Sequence, residues 1–168
     1  LKMAEINKKY KAQIIQEGTD IIKIKKIPFS SPMANYMTYG GIPVAKITEF
    51  FGGEGGGKTT SALDICGNAQ RLFMEEYANK VKELQEHIES LTASTTREST
   101  KQVIKLEQEL QQVMEKGAKC VLYVDTEQTL DVEWARTIGV DTESLILVRP
   151  QEQTAEQVLQ MIIELIDT

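Results

Sequence analysis

At 168 residues the chain has the length of one domain, and its 41% apolar content suffices for a packed core. No apolar run approaches the roughly 18 residues needed to span a bilayer. With 19 basic against 25 acidic residues the net charge is −6, which argues against strong nucleic-acid binding through a clustered basic surface. The one lysine cluster, Lys23, Lys25 and Lys26, reads better as a solvated strand or loop face than as a functional patch. The polar, lysine-rich start shows no apolar secretory core. Cys66 and Cys120 have neither metal nor redox spacing; both lie in apolar runs and read as buried free thiols of a reducing, cytoplasmic compartment.

Residues 3–17 read as a short amphipathic helix that Gly18 can stop. Residues 21–27 alternate Ile and Lys, the pattern of an edge strand. Pro28, Ser30, Ser31 and Pro32 mark a loop, and Gly40-Gly41-Ile42-Pro43 mark another. The apolar run Ile47-Thr48-Glu49-Phe50-Phe51 then reads as a strand, and Thr60-Ser61-Ala62-Leu63-Asp64-Ile65 opens a helix that reaches to about residue 71.

Between that strand and that helix lies Gly52-Gly53-Glu54-Gly55-Gly56-Gly57-Lys58-Thr59, which fits G-x-x-x-x-G-K-[ST]. Glycines let the main chain take positive φ and approach a phosphate with no Cβ in the way. Successive N–H groups and a helix N-terminus can then face the anion. Lys58 would add a point charge for the β- and γ-phosphates of ATP, and the Thr59 hydroxyl could ligate Mg²⁺. The plain alternative is a flexible glycine-rich turn; the flanking strand and helix signals weigh against it.

Tyr77, Val81, Leu84, Ile88 and Leu91 step by four, three, four and three, as does the series Val103, Leu106, Leu110 and Val113. That is the seam of a coiled coil. Polar, turn-like residues 92–100 separate the two series, so two antiparallel helices packed as a hairpin are predicted, each arm about 24–30 Å long at ~1.5 Å per residue. The arm has three readings: a passive insertion, an oligomer contact or a docking element for a partner. His87, the only histidine, reads as a surface residue of the arm.

Cys120-Val121-Leu122-Tyr123-Val124 suits a buried parallel strand, residues 131–138 a helix capped by Gly139, and Leu145-Ile146-Leu147-Val148 a further strand closed by Pro150. Thr154 with Gln157 forms a capping box for a last helix with apolar residues Ala155, Val158, Leu159, Ile162, Ile163, Leu165 and Ile166. Strands alternating with helices predict an α/β fold, a parallel sheet covered on both faces.

Four stretches of this sequence resemble the RecA recombinase family of bacteria and phages. They are Gly40 to Pro43 running on through Lys46 to Glu49; Gly52 to Thr60, with Glu54 third in the loop; Ala69-Gln70-Arg71 taken with Gly117-Ala118-Lys119-Cys120; and Val124-Asp125-Thr126-Glu127 through Leu130-Asp131, Trp134-Ala135-Arg136 and Gly139-Val140-Asp141. The likeness spans residues 39–168 apart from about 44 inserted residues, with a weaker echo of the family's N-terminal helix at residues 6–10. It implies an incomplete three-layer P-loop NTPase core with a parallel sheet, carrying an inserted antiparallel helical hairpin. The implied organisation is an N-terminal helix and linker over 1–38 and a partial ATPase core over 39–168, interrupted at about 72–116.

The resemblance also implies roles. Lys58, Thr59 and the loop Gly52, Gly53, Glu54, Gly55, Gly56, Gly57 with Thr60 would hold ATP and Mg²⁺; Glu127 would activate the attacking water; Asp131 and Trp134 would contact adenine, where the family more often has Tyr. On residue pattern alone Trp134 could instead be a core aromatic, Glu127 an ordinary strand-end carboxylate, and Asp125 a magnesium-supporting carboxylate. The resemblance sets the last aside and expects the Walker B strand and the DNA-gripping loops to follow residue 168. The implied parent is a DNA-dependent ATPase that exchanges single-stranded DNA within a homo-oligomer or filament, with no membrane role. A helicase or clock-type ATPase core, and a non-hydrolysing assembly module built around the arm, are the competing readings. An unfinished parallel sheet also predicts self-association through its open edge.

Overall fold

A computed structural model describes residues 5–6, 8–9, 24–92 and 97–166. Residues 5, 6, 8 and 9 are helical; the rest of the helix expected over 3–17 lies outside the described residues, as do residues 21–23 of the expected edge strand.

The described chain opens with β1, Lys26–Ile27, which pairs antiparallel with β2, Ile42–Pro43. Two expected loops are thereby corrected. Ile42–Pro43 takes part in a strand pair, and Pro32 begins a helix, α1 (Pro32–Met37). The Ser31 hydroxyl accepts from the Ala34 amide and Pro32 occupies the first helical position, where it needs no N–H partner. Asn35 fastens this helix to the segment that follows β1: its carboxamide accepts from the Phe29 amide and donates to the Phe29 carbonyl, both at 2.7 Å.

Residues 47–51 take no regular secondary structure, which corrects the strand expected there. Ile47 and Phe51 lie open to solvent, and no described strand runs beside the segment to take its backbone hydrogen bonds. From Lys58 the chain enters α2, Lys58–Thr92, one unbroken helix of 35 residues and about 52 Å at ~1.5 Å per residue. The expected stop near residue 71 does not occur, since neither Gly nor Pro interrupts residues 68–92.

α3 spans Arg97–Lys116 and packs along α2. Lys80 meets Glu109 at 3.1 Å, while Leu91 and Thr92 share a cleft with Ser99, Val103 and Ile104, so the two helices run in opposite directions. Leu84 is buried, and Tyr77, Val81, Ile88, Leu91, Val103, Leu106, Leu110 and Val113 are half-covered. His87 and the charged positions between them face solvent.

β3 (Val121–Val124) and β4 (Leu145–Val148) form a two-stranded parallel sheet in register Val121–Leu145 to Val124–Val148. Between them runs α4, Val132–Ile138, capped by the Asp131 carboxylate and stopped by Gly139 in the left-handed conformation, φ 104°. The core lies where α2, α4 and this sheet meet: Leu63, Leu130, Ala135 and Val140, with Cys66, Tyr123, Ile138, Leu145 and Leu147 packed against them. Burial pushes the Cys66 thiol up from its ordinary value, as befits an inert core thiol. Cys120 is exposed rather than buried; it stands just ahead of the first paired residue of β3, where nothing covers it.

The last helix, α5 (Ala155–Ile166), carries the expected capping box: the Thr154 amide donates to the Gln157 side chain at 2.9 Å and the Gln157 amide to the Thr154 hydroxyl at 3.4 Å. Among the apolar residues of Ala155–Leu165 only Val158 is buried; Leu159, Ile163 and Leu165 are exposed. The parallel sheet is likewise only half-covered, with Ile146 exposed, so the expected cover on both faces is absent among the described residues.

Candidate functional site

The segment Gly52–Gly57 is a solvent-exposed loop that leads directly into the first turn of α2. Gly55 and Gly57 sit at φ 70° and 79°, backbone values that a Cβ would strain, and side chains added there would meet nothing within 4 Å. The loop folds on itself through the Gly56 amide, which donates to the Gly53 carbonyl at 3.3 Å. The Lys58 ammonium donates back to the Gly52 and Gly53 carbonyls at 3.1 and 2.8 Å. A long helix presents its first amides at this end without intrahelical acceptors, together with the positive end of its dipole. Glu54 and Thr59 are exposed beside them, and Thr60 is half-covered.

Glu127 is exposed in the turn after β3. This turn is held by Asp125, whose buried carboxylate accepts from the amides of Thr129 (3.2 Å) and Leu130 (3.1 Å) and from Arg149 Nε (3.3 Å). Arg149 also donates to the Leu130 carbonyl at 3.1 Å. Gln128 takes φ 56°, and its side chain donates to the Pro150 carbonyl at 3.0 Å. Burial alone would raise the Asp125 carboxyl, but the Leu130 and Thr129 amides and the Arg149 guanidinium outweigh it and hold the group below the usual carboxylate range. Asp125, which pattern alone offers as a magnesium-supporting residue, thus spends both oxygens on the turn that presents Glu127. Its partner Arg149 stands 24 residues away, and no spacing rule reveals the pair.

Asp131 and Trp134 are joined, the Asp131 carboxylate accepting from the Trp134 amide at 3.0 Å as the cap of α4. Trp134 is 47% exposed, so it is no core aromatic. α2 packs against α4 and β3, which sets the glycine loop, the Glu127 turn and the start of α4 on elements that share one core. No hydrogen bond or ion pair among the described residues links the loop to Glu127, Asp131 or Trp134. The register between α2 and α4 is fixed further along by residues that sequence reasoning missed. The Gln70 side chain donates to the Asp141 carbonyl (2.8 Å) and accepts from the Asp141 amide (2.9 Å), while Arg71 donates to the Gly139 carbonyl at 3.2 Å. Among the described residues no group of three or more His, Cys, Asp or Glu side chains is arranged to hold a metal ion, and no helix is long and apolar enough to cross a membrane.

This mixed helix and strand architecture, with a small parallel sheet beside a long helix, is compatible with a RecA-like N-terminal region. A family model described as the RecA N-terminal domain matches residues 92–168, which includes Glu127, Asp131 and Trp134 and leaves the glycine loop outside. Curated proteins named Protein RecA align over nearly the whole chain. That of Saccharopolyspora erythraea is 28% identical over 164 residues, and that of Mycobacterium ulcerans 27% over 165, each covering 96% of this chain and 34% of the relative. That of Mycobacteroides abscessus is 26% identical over 164 residues with the same coverage. The chain spans about a third of the length of these relatives. Together the domain match and the alignments support a RecA-family protein.

Proposed function

We propose that this chain is the nucleotide-binding portion of an ATP-dependent DNA strand-exchange recombinase, serving homologous recombination and DNA repair. The observation that carries the reading is the open glycine loop at the head of α2, with the Lys58 ammonium folded over its carbonyls. These groups suit a polyphosphate: an ammonium, helix-start amides and the Thr59 hydroxyl lie next to one another in sequence at the head of α2, beside glycines that leave the backbone bare. ATP would bind along Gly52 to Thr60, Thr59 would ligate Mg²⁺, and bound Mg²⁺ would neutralise developing charge on the phosphates. Glu127, held by the Asp125–Arg149 clamp, would orient the attacking water. Asp131 and Trp134 would receive the base, the exposed indole offering a stacking face.

On this reading residues 1–38 form an N-terminal helix and linker, residues 39–168 contribute a partial RecA-like core, and α2 beyond residue 71 with α3 is an inserted arm. Single-stranded DNA is engaged, and filaments of identical subunits are completed, through the regions of the longer relatives that this chain does not span. The exposed, half-covered sheet supports self-association of this chain.

Isothermal calorimetry with ATP and Mg²⁺ tests the core claim. Wild-type chain should give a saturable heat that weakens at least about ten-fold, roughly 1.4 kcal/mol, in Lys58→Ala. No heat, or identical isotherms for both, would refute it.

A further inference from the structure

Beside the glycine loop, a cavity of about 570 Å³ lies between α1, α2 and α4. That volume lies within the ~300–1,000 Å³ typical of small-molecule sites. Its walls are chiefly apolar: Phe29, Met37, Phe50 and Ile138. Phe29 and Phe50 meet edge to face, centroids 6.3 Å apart and planes at 85°, so the cavity is offered ring surface in two orientations. One formal charge enters the lining, that of Asp64; no Lys, Arg or His lines it. Asp64 is half-buried on α2, and its hydrogen bonds come from neutral donors, the Ser30 amide at 2.9 Å and the Asn68 carboxamide at 3.2 Å. Among the described residues it has no ion-pair partner. A carboxylate in a largely apolar cavity with spare acceptor capacity and no counter-ion favours a cation there, and ring faces favour a cation too.

We propose that this cavity binds a small planar aromatic cation, with Asp64 as its counter-ion and Phe29 and Phe50 as its stacking walls. The site abuts both ends of the glycine loop, through Phe50 before it and Thr60 and Ser61 after it, and shares Thr60 with it, but its one charged group is an acid where the loop offers Lys58. A triphosphate would meet a negative charge there and no positive one.

Fluorescence titration with 9-aminoacridine, cationic at neutral pH, tests the assignment on the full 168-residue chain, with the anion 1-naphthoate as comparison. Saturable one-to-one binding of the cation is expected, weakened about ten-fold in Asp64→Asn and abolished in Ala34→Trp, which fills the cavity, while naphthoate does not bind. Asp64→Asn keeps an acceptor for the Ser30 amide and therefore carries the decision should the bulky variant fail to fold by circular dichroism. Absence of saturable binding, equal affinity in Asp64→Asn, or equal binding of naphthoate would overturn the proposal. So would displacement of the dye by ATP and Mg²⁺, which would make the cavity part of the nucleotide site. Loss of nucleotide binding in Lys58→Ala with dye binding intact keeps the two sites separate.

Discussion

Replacing Gly67 by alanine reverses the usual rule for a helix interior. Alanine is the better helix former by about 1 kcal/mol, so at an unconstrained position Gly→Ala should stabilise. Gly67 is not unconstrained. A Cβ there would lie 2.5 Å from the Gly139 carbonyl oxygen, 2.9 Å from its carbon and 3.2 Å from the Val140 nitrogen. The first distance is roughly 0.8 Å short of the ~3.3 Å at which carbon and carbonyl oxygen ordinarily touch. The neighbour is backbone and is pinned from several sides. The Gly139 carbonyl accepts from Arg71, the Val140 amide donates to Ala135 at 3.0 Å, and Asp141 is held at both its N–H and C=O by Gln70. With no flexible side chain to yield, overpacking should cost about 2–3 kcal/mol, the upper part of the usual range. After the helix gain, Gly67→Ala should lose about 1–2 kcal/mol. In equilibrium urea unfolding, with a slope near ~2 kcal/mol per molar, the midpoint should fall by roughly 0.5–1 M. Ala78→Gly, at an exposed position of the same helix, calibrates the propensity term. An unchanged or higher midpoint for Gly67→Ala would show that α2 and α4 are not packed backbone to backbone at this point.

Two further outcomes follow from the clamp and the cap. Because the Asp125 carboxyl is held below its ordinary range, its contribution is fully present above the unfolded value near ~3.9 and lost as the pH falls through the lowered folded value. Asp125→Asn should therefore cost about 1–3 kcal/mol at pH 7 and show a smaller further loss below about pH 4 than the parent, read from urea midpoints across pH 3–7; parallel curves would remove Asp125 from the account. Thr154→Ala should cost about 1 kcal/mol of α5 stability, seen as roughly five-fold faster amide exchange at Gln157 and Val158, and unchanged exchange there would mean that the capping box contributes nothing.

Features whose cause is local are readable from the residues. The Thr154–Gln157 box, Gly139 in its left-handed role at the end of α4, and the apolar runs of β3 and β4 each depend on a few neighbouring residues, and each stands as the pattern predicts. The seam positions between Tyr77 and Val113 are the covered ones for the same reason, since helical period alone decides which side can be buried. Ser31-Pro32 is a helix-start signal of the same kind, and reading the prolines as loop markers hides it. The glycine loop is legible as a spacing of residue types. Its companions are not: the turn bearing Glu127 is shaped by Arg149 and by a left-handed Gln128, and the α2–α4 register by Gln70 meeting Asp141, 71 residues on.

The strand expected over residues 47–51 shows where residue pattern stops being sufficient. Helices satisfy their amides within one segment, so α2 can extend from Lys58 to Thr92 wherever no Gly or Pro breaks it. A strand is completed only by another strand, and alternation or apolarity specifies the willingness to pair without supplying the partner. Ile47 and Phe51 stand open and α5 leaves Leu159 and Ile163 uncovered, the same deficit seen on an irregular segment and on a helix. Among the described residues, segments that find their hydrogen-bond partner, within a helix or in the β1–β2 and β3–β4 pairs, are formed, and the 47–51 segment, which finds none, is not. The glycine loop joins the two kinds of segment: downstream it is fixed by α2, while the segment ahead of it, Ile47 to Phe51, meets the rest of the fold through Phe50, which packs edge to face on Phe29.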